Sequence, residues 1–268
     1  MAFRLPRLIQ RKPEPKPVST GGRLIYAVGD VHGRLDLLDP LLGQIGADAA
    51  RDEGEGRPVL VFVGDYVDRG AASKGVIERV IALQREGRFE VCALKGNHEE
   101  AMLIFLQDPH FGPTWCEQGG AQTLSSYGVT APMLRMDDEA WERARQELAD
   151  ALPADHRNFL ECLSLKALFG DYVFVHAGLR PGVALEAQRE QDLLWIRQEF
   201  LSATRPFEKI VVHGHTPAEQ AWLGDNRIGI DTGAYATGVL TAVRLEGPAR
   251  RLIQASVRDR RADEVTAS

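Results

Sequence analysis

One pattern constrains this chain more than any other. A short apolar run, a glycine-bounded polar turn and an amphipathic helical stretch follow one another three times. Residues 24–28 run into Gly29-Asp30-Val31-His32-Gly33, after which Leu35, Leu38, Leu41, Leu42 and Ile45 recur at helical spacing. Residues 59–63 run into Gly64-Asp65-Tyr66-Val67-Asp68-Arg69-Gly70, followed by Val76, Ile77, Val80, Ile81 and Leu83. Residues 89–94 run into Gly96-Asn97-His98-Glu99, and another helix begins near Met102. Apolar runs this short read as strands buried on both faces, so the series predicts an α/β fold built on a βαβαβ unit with a largely parallel sheet. Ligands of such sheets sit beyond the carboxyl ends of the strands, which is where all three polar turns fall.

The remainder of the chain changes character twice. Residues 109–168 contain Trp115, Gly119-Gly120, Tyr127 and a charged helical stretch over about 137–152, predicting a mostly helical insertion that walls the site. β structure then returns. Residues 172–175 run into His176, 209–212 into His213-Gly214-His215 and 227–230 into Asp231, while 239–245 and 251–255 read as closing strands. The expected organisation is a basic, proline-rich tail over 1–22, one domain over 23–257 and a polar tail over 258–268. Phe3, Leu5, Leu8 and Ile9 give the first tail an alternative reading as a short amphipathic anchor.

Composition narrows the function classes. A net charge of -6 and a pI near 5.7 argue against a surface built to hold nucleic acid. No apolar stretch approaches the roughly 20 residues that span a bilayer. The N-terminus lacks the apolar core of a signal peptide. Cys92, Cys116 and Cys162 are odd in number and form no CxxC pair, so free thiols in a reducing, cytoplasmic setting are expected. No GxxxxGK[ST] phosphate loop is present.

A single Asp after a strand is ordinarily a helix cap or turn residue, and a single His ordinarily a core residue. Five turns, each ending a predicted strand and each offering a metal-competent side chain, are poorly explained in that way. Their donors are carboxylate oxygen, imidazole nitrogen and amide oxygen, with no thiolate. That set favours manganese, iron, zinc or magnesium over copper(I) or an iron–sulfur cluster.

The three glycine-bounded motifs, together with His176-Ala177-Gly178 and Gly214-His215-Thr216-Pro217, resemble the signature segments of the phosphoprotein phosphatase family of calcineurin-like metallophosphoesterases. The resemblance runs from about residue 24 to 245 and is nearest to bacterial and phage members. It implies a β-sandwich flanked by helices and two divalent metal ions, manganese first among them, hydrolysing a phosphate ester without a phosphoenzyme. By position, Asp30 and His32 would bind one metal, Asn97, His176 and His215 the other, and Asp65 both. A shared carboxylate offsets the repulsion of two cations roughly 3.5–4 Å apart.

The expected chemistry is in-line attack by metal-activated hydroxide. His98 protonates the leaving oxygen and Asp68 orients that imidazole. Arg69 holds the phosphoryl group through its guanidinium fork, with Arg197 and Asn97 as further phosphate-binding candidates. Tyr235 is a candidate lining residue. His213, where the phage-like pattern is expected to be apolar, is read as a strand residue.

A phosphoprotein, or a phosphorylated small molecule, is the first expected substrate, and the reading is a Ser/Thr protein phosphatase. The alternative is a bis(5'-nucleosyl)-tetraphosphatase. A nuclease of the superfamily is disfavoured by Pro217, where such enzymes commonly carry a second histidine. A non-catalytic scaffold is disfavoured because all six ligand positions are filled.

Overall fold

The computed structural model describes residues 18–52, 54 and 56–258. Most of both expected tails, including Phe3, Leu5, Leu8 and Ile9, lies outside the described residues.

Strands β1 (Ile25–Val28), β2 (Val59–Phe62) and β3 (Glu90–Ala93) pair in parallel, joined by helices α1 (Leu35–Ala49) and α2 (Ser73–Glu86). Helix α3 (Asn97–Gln107) leaves β3, and four helices follow: α4 (Gly112–Glu117), α5 (Gly120–Ser126), α6 (Asp138–Ala151) and α7 (Ala154–Glu161). All four fall within the span 109–168. A second sheet contains β4 (Lys166–Phe169) and β5 (Tyr172–Val175). Its chain continues through α8 (Glu190–Trp195) and α9 (Gln198–Leu201) to β6 (Ile210–His213), β7 (Trp222–Leu223) and β8 (Arg227–Gly229). After α10 (Ala234–Thr237), β9 (Val239–Glu246) and β10 (Ala249–Ser256) return to the first sheet. The two orders are β10-β9-β1-β2-β3 and β4-β5-β6-β8-β7. The parallel unit is therefore extended by an antiparallel pair, with β9 against β1.

Side chains of period two divide each central strand between two cores. Tyr26, Val28, Leu60 and Phe62 face the helices α1, α2 and α3, packing with Leu37, Leu41, Val76, Val80 and Met102. Ile25, Ala27, Val59 and Val61 face inward, against Tyr172, Phe174 and Val212 of the second sheet. Val173, Val175 and Val211 complete a third cluster with Leu193 and Phe200 of α8 and α9. The result is a helix–sheet–sheet–helix sandwich, and burial on both faces explains why β1, β2 and β5 read as unbroken apolar runs.

Three details differ from the sequence reading. Strand β4 begins at Lys166, inside the span expected to be helical, and was not legible because it is half-exposed. Strand β7 is a two-residue edge strand with Trp222 and Leu223 exposed, too short to leave a pattern. Folded structure also begins before residue 23: Thr20 is buried, and Ser19 exchanges hydrogen bonds with Asp171 through its N–H (2.8 Å, to Oδ2) and its carbonyl (2.7 Å, from the Asp171 N–H). Among the described residues no helix is long and apolar enough to cross a membrane.

Phe174 is fully buried at the centre of the inter-sheet layer. Phe174→Ala is expected to cost about 3–5 kcal/mol, the usual range for deleting a core phenyl ring. Urea unfolding checks this, and a loss below 1 kcal/mol would contradict the sandwich packing.

Candidate metal centre

The polar turns at the ends of β1, β2, β3, β5 and β6 meet in one place, the first two joined backbone to backbone and the last two likewise. The Asp65 carbonyl accepts N–H bonds from Val31 (3.0 Å) and His32 (2.8 Å), the Tyr66 carbonyl accepts from Gly33 (2.8 Å), and the His176 carbonyl accepts from Gly214 (2.8 Å). Gly33 and Gly70 lie backbone to backbone; a Cβ on Gly70 would fall 2.1 Å from the His32 carbonyl oxygen. Only glycine permits that approach.

Glu99 locks the second turn to the third. Its Oε2 accepts from the N–H groups of Asp65 (2.9 Å) and Gly96 (2.8 Å), and its Oε1 from Tyr66 (2.7 Å) and Val67 (3.2 Å). Burial and the neighbouring Asp65 charge push this carboxyl up to about 7, against the pull of the amide donors.

All six expected ligands, Asp30, His32, Asp65, Asn97, His176 and His215, are buried at this junction. Two groups have ligand atoms within 4.8 Å of one another: His32, Asp65 and His98, and Asp65, His176 and His215. Asp65 belongs to both. Its Oδ2 is 3.5 Å from His32 Nε2 and its Oδ1 is 3.4 Å from His176 Nε2. Asn97 Oδ1 lies 2.8 Å from both His176 Nε2 and His215 Nδ1. Asp30 joins neither group; its Oδ2 accepts the His215 N–H at 2.9 Å.

The donor set fits divalent cations. His32 Nδ1 and His176 Nδ1 each sit 2.9 Å from a backbone carbonyl, of Val67 and Val63 respectively. A carbonyl only accepts, so each Nδ1 carries the hydrogen and each Nε2 turns a lone pair inward. For His176 that lone pair faces the Asn97 and Asp65 oxygens, an arrangement of acceptors that a metal ion satisfies. Asp30 Oδ1 and His215 Nε2 are buried without a hydrogen-bond partner. Burial lowers His32 to about 3, His215 to about 2 and His176 below its usual value, leaving the imidazoles in their metal-binding form. Burial and nearby carboxylates push Asp30 well up, and burial chiefly takes Asp231 to about 6. Crowded acids of this kind are relieved by cations.

Beside this cluster, His98 Nδ1 is 2.6 Å from Asp68 Oδ2. Burial pulls His98 down, but the Asp65 and Asp68 carboxylates outweigh it and the net shift is upward. Arg69 reaches between the rings, 3.2 Å from His32 Nε2 and 3.1 Å from His98 Nε2. Its guanidinium lies 4.4 Å from the ring centre of Tyr235, which also meets His32 edge-on at 5.3 Å. Tyr235 is thus brought to the site. Arg197 stands at the far side, donating to the His215 carbonyl (3.0 Å) and to Thr216 Oγ1 (3.2 Å). His213 is not brought in: it packs on Phe200, 4.9 Å between ring centres, with its Nδ1 at the Gly214 carbonyl.

The sequence gives no role to Glu99 or Asp231 and places Trp115 and Thr123 only in the segment expected to wall the cleft. Glu99 stood in a motif already noted, and Asp231 ends a predicted strand as the ligands do. Nothing in sequence order ties Trp115 or Thr123 to Asp68, 47 and 55 residues away. Trp115 is fully buried with its Nε1 donating to Asp68, so it supports the site from behind where a cleft-lining role was expected.

Residues 23–238 match the family model described as calcineurin-like phosphoesterase. The chain is 27% identical over 243 residues to the asymmetrical bis(5'-nucleosyl)-tetraphosphatase PrpE of Anoxybacillus flavithermus, covering 82% of this chain and 90% of that protein. It is 28% identical over 229 residues to serine/threonine-protein phosphatase 1 of Salmonella typhimurium, covering 84% and 93% respectively. Among solved structures, a candidate diadenosine tetraphosphatase superposes with a TM-score of 0.60 at 20% identity, over 90% of this chain and 97% of that one. A cold-active protein-tyrosine phosphatase of a psychrophilic Shewanella superposes at 0.52 and 18% identity, over 94% and 89%.

His32, Asp65, Asp68, Arg69 and His215 are the non-glycine residues with positive φ among those described, and all five are expected site residues. Asp and His tolerate that region better than most side chains, whereas Arg69, at φ 67°, has no such aptitude. Arg69→Gly and Arg69→Ala lose the same contacts, yet the glycine variant is expected to be the more stable by about 1 kcal/mol. Urea unfolding of the two metal-free variants checks this; an alanine variant of equal or greater stability would contradict it.

Proposed function

The chain belongs to the calcineurin-like phosphoesterase family, and from that premise we propose that it is a Ser/Thr protein phosphatase working with two divalent cations, manganese first among them. The observation that carries the reading is Asp65, whose two carboxylate oxygens face separate histidines at 3.5 and 3.4 Å. Asp30 and His32 would hold one cation, Asn97, His176 and His215 the other, and Asp65 both. Bound there, the cations would supply a water activated toward neutral pH and neutralise charge on the phosphoryl oxygens.

The protein's own groups do the rest. Arg69 offers two N–H bonds from one planar guanidinium, matching two phosphoryl oxygens, and Arg197 extends the positive rim on the other side. When the ester occupies the cleft, Arg69 exchanges its contact with His98 Nε2 for phosphate. That nitrogen is then free to take up a proton from solvent and deliver it to the leaving oxygen, while Nδ1–H stays bonded to Asp68. Asn97 sits between ligand and phosphate roles through its Oδ1 and amide.

This His98–Asp68 pair favours a phosphomonoester. An alkoxide leaving from phosphoserine or phosphothreonine needs a proton far more than a phosphate leaving from an anhydride does. A second reading, hydrolysis of dinucleoside polyphosphates, draws its support from the tetraphosphatase relative of Anoxybacillus flavithermus. The free cysteines Cys92, Cys116 and Cys162 support a reducing, cytoplasmic setting.

Chelation followed by dialysis is expected to abolish turnover, and manganese to restore it. With manganese present, phosphopeptide is expected to be hydrolysed faster than diadenosine tetraphosphate; a large preference for the dinucleotide would overturn the first reading in favour of the second. His98→Asn is expected to retain its metals and lose roughly 10²–10⁴-fold in kcat, the usual contribution of a positioned acid.

A further inference from the structure

Asp68 is fully buried, and its carboxylate meets three donors. Oδ2 receives His98 Nδ1 at 2.6 Å and Trp115 Nε1 at 2.9 Å, and Oδ1 receives the Thr123 hydroxyl at 2.6 Å. The Asp68 N–H donates back to Thr123 Oγ1 (2.8 Å) and to Ser73 Oγ (3.1 Å). Trp115 and Thr123 lie on α4 and α5, 47 and 55 residues along the chain from Asp68. The link between these two helices holds the backbone of this turn. The Arg69 N–H donates to the Gly119 carbonyl at 3.1 Å, and a Cβ on Gly119 would fall 2.7 Å from the Arg69 nitrogen.

We propose that Trp115 and Thr123 are positioning residues for proton donation by His98, which makes the helical insertion a working part of the reaction. The proposal rests on His98 acting as the acid. An indole N–H can only donate, so Trp115 fixes one Asp68 oxygen as an acceptor whatever the state of the site. The Thr123 hydroxyl, receiving the Asp68 N–H and giving its own hydrogen to Oδ1, fixes the other. With both oxygens held, the carboxylate has no freedom to turn, and the His98 ring it grips keeps Nε2 aimed into the cleft.

In the step itself, the ester P–O bond breaks and the leaving oxygen takes the Nε2 proton of His98. A water oxygen becomes bonded to phosphorus, and a proton released from that water recharges His98. Ester and water give alcohol and phosphate, and Nδ1–H remains on Asp68 throughout.

Trp115 also packs on Phe105 with ring centres 5.0 Å apart, so its packing has to be told apart from its hydrogen bond. Leaving-group dependence separates the two. Trp115→Phe keeps the ring and removes the N–H, and Thr123→Val removes the hydroxyl at constant volume. Rates are measured on a phosphoserine peptide, whose alkoxide needs a proton, and on 4-nitrophenyl phosphate, whose leaving group departs with little help. Each variant is expected to lose about tenfold in kcat on the peptide, the worth of one hydrogen bond to a charged group, and no more than about twofold on the aryl ester. KM and metal content are expected to stay unchanged. Thr123→Ser is expected to restore the peptide rate. Trp141→Phe, which removes a bond to the Leu134 carbonyl elsewhere in the insertion, is expected to behave as wild type on both.

Equal losses on the two substrates, or none, would overturn the proposal. His98→Asn runs alongside: if it shows the leaving-group dependence and the Trp115 and Thr123 variants do not, the proposal alone fails. If His98→Asn lacks it, the acid assignment falls and the proposal with it.

Discussion

A carboxylate buried among other carboxylates has to be held by groups fixed around it, and the fold of this chain is arranged about one such residue, Asp65. Its backbone N–H is bound by Glu99, its carbonyl receives the N–H groups of Val31 and His32, and its carboxylate faces histidines from two different turns. Burial alone would push the acid up. The net shift is nevertheless downward, and His98, itself shifted upward, sets positive charge 3.9 Å from the carboxylate. Because β1, β2 and β3 are parallel neighbours, their carboxyl ends deliver these groups to one edge. The second sheet adds His176 and His215 from β5 and the turn after β6. Displacing Asp65 would loosen several turns together.

The same arrangement explains why the backbone is strained where it is. Left-handed conformations at non-glycine residues cost on the order of 1–3 kcal/mol each, and such a cost persists only where the surroundings over-determine it. Here the positive-φ residues fall on His32, Asp65, Asp68, Arg69 and His215. The glycine-bounded turns, the four amide bonds to Glu99 and the docking of the Arg69 backbone on Gly119 supply the constraint. Strain of this sort sets side chains before any ligand arrives, which is the requirement for electrostatic preorganisation.

Much of this was legible in the residues. The strands that lead into the candidate ligands are largely apolar runs with glycines flanking their turns, so the candidate positions stand out in the sequence, and the family resemblance is what suggests their roles. What sequence order does not carry is contact between distant segments. Trp115 and Thr123 look like an ordinary core tryptophan and a helix threonine until the fold brings them onto Asp68. Strands β4 and β7 escaped because one is half-exposed and the other is two residues long, so neither leaves a period. Tyr235 stands out as a candidate neighbour of the site, but its stacking on Arg69 depends on where α10 carries the ring.

The claim on which everything else stands is that Asp65 serves two cations at once. Crystals grown with manganese, with data collected at a wavelength where manganese scatters anomalously, address it without reference to any substrate. The account predicts two anomalous peaks, one on each side of the Asp65 carboxylate, the first against Asp30 and His32 and the second against Asn97, His176 and His215. A single peak, or peaks that leave Asp65 uncoordinated, would contradict it.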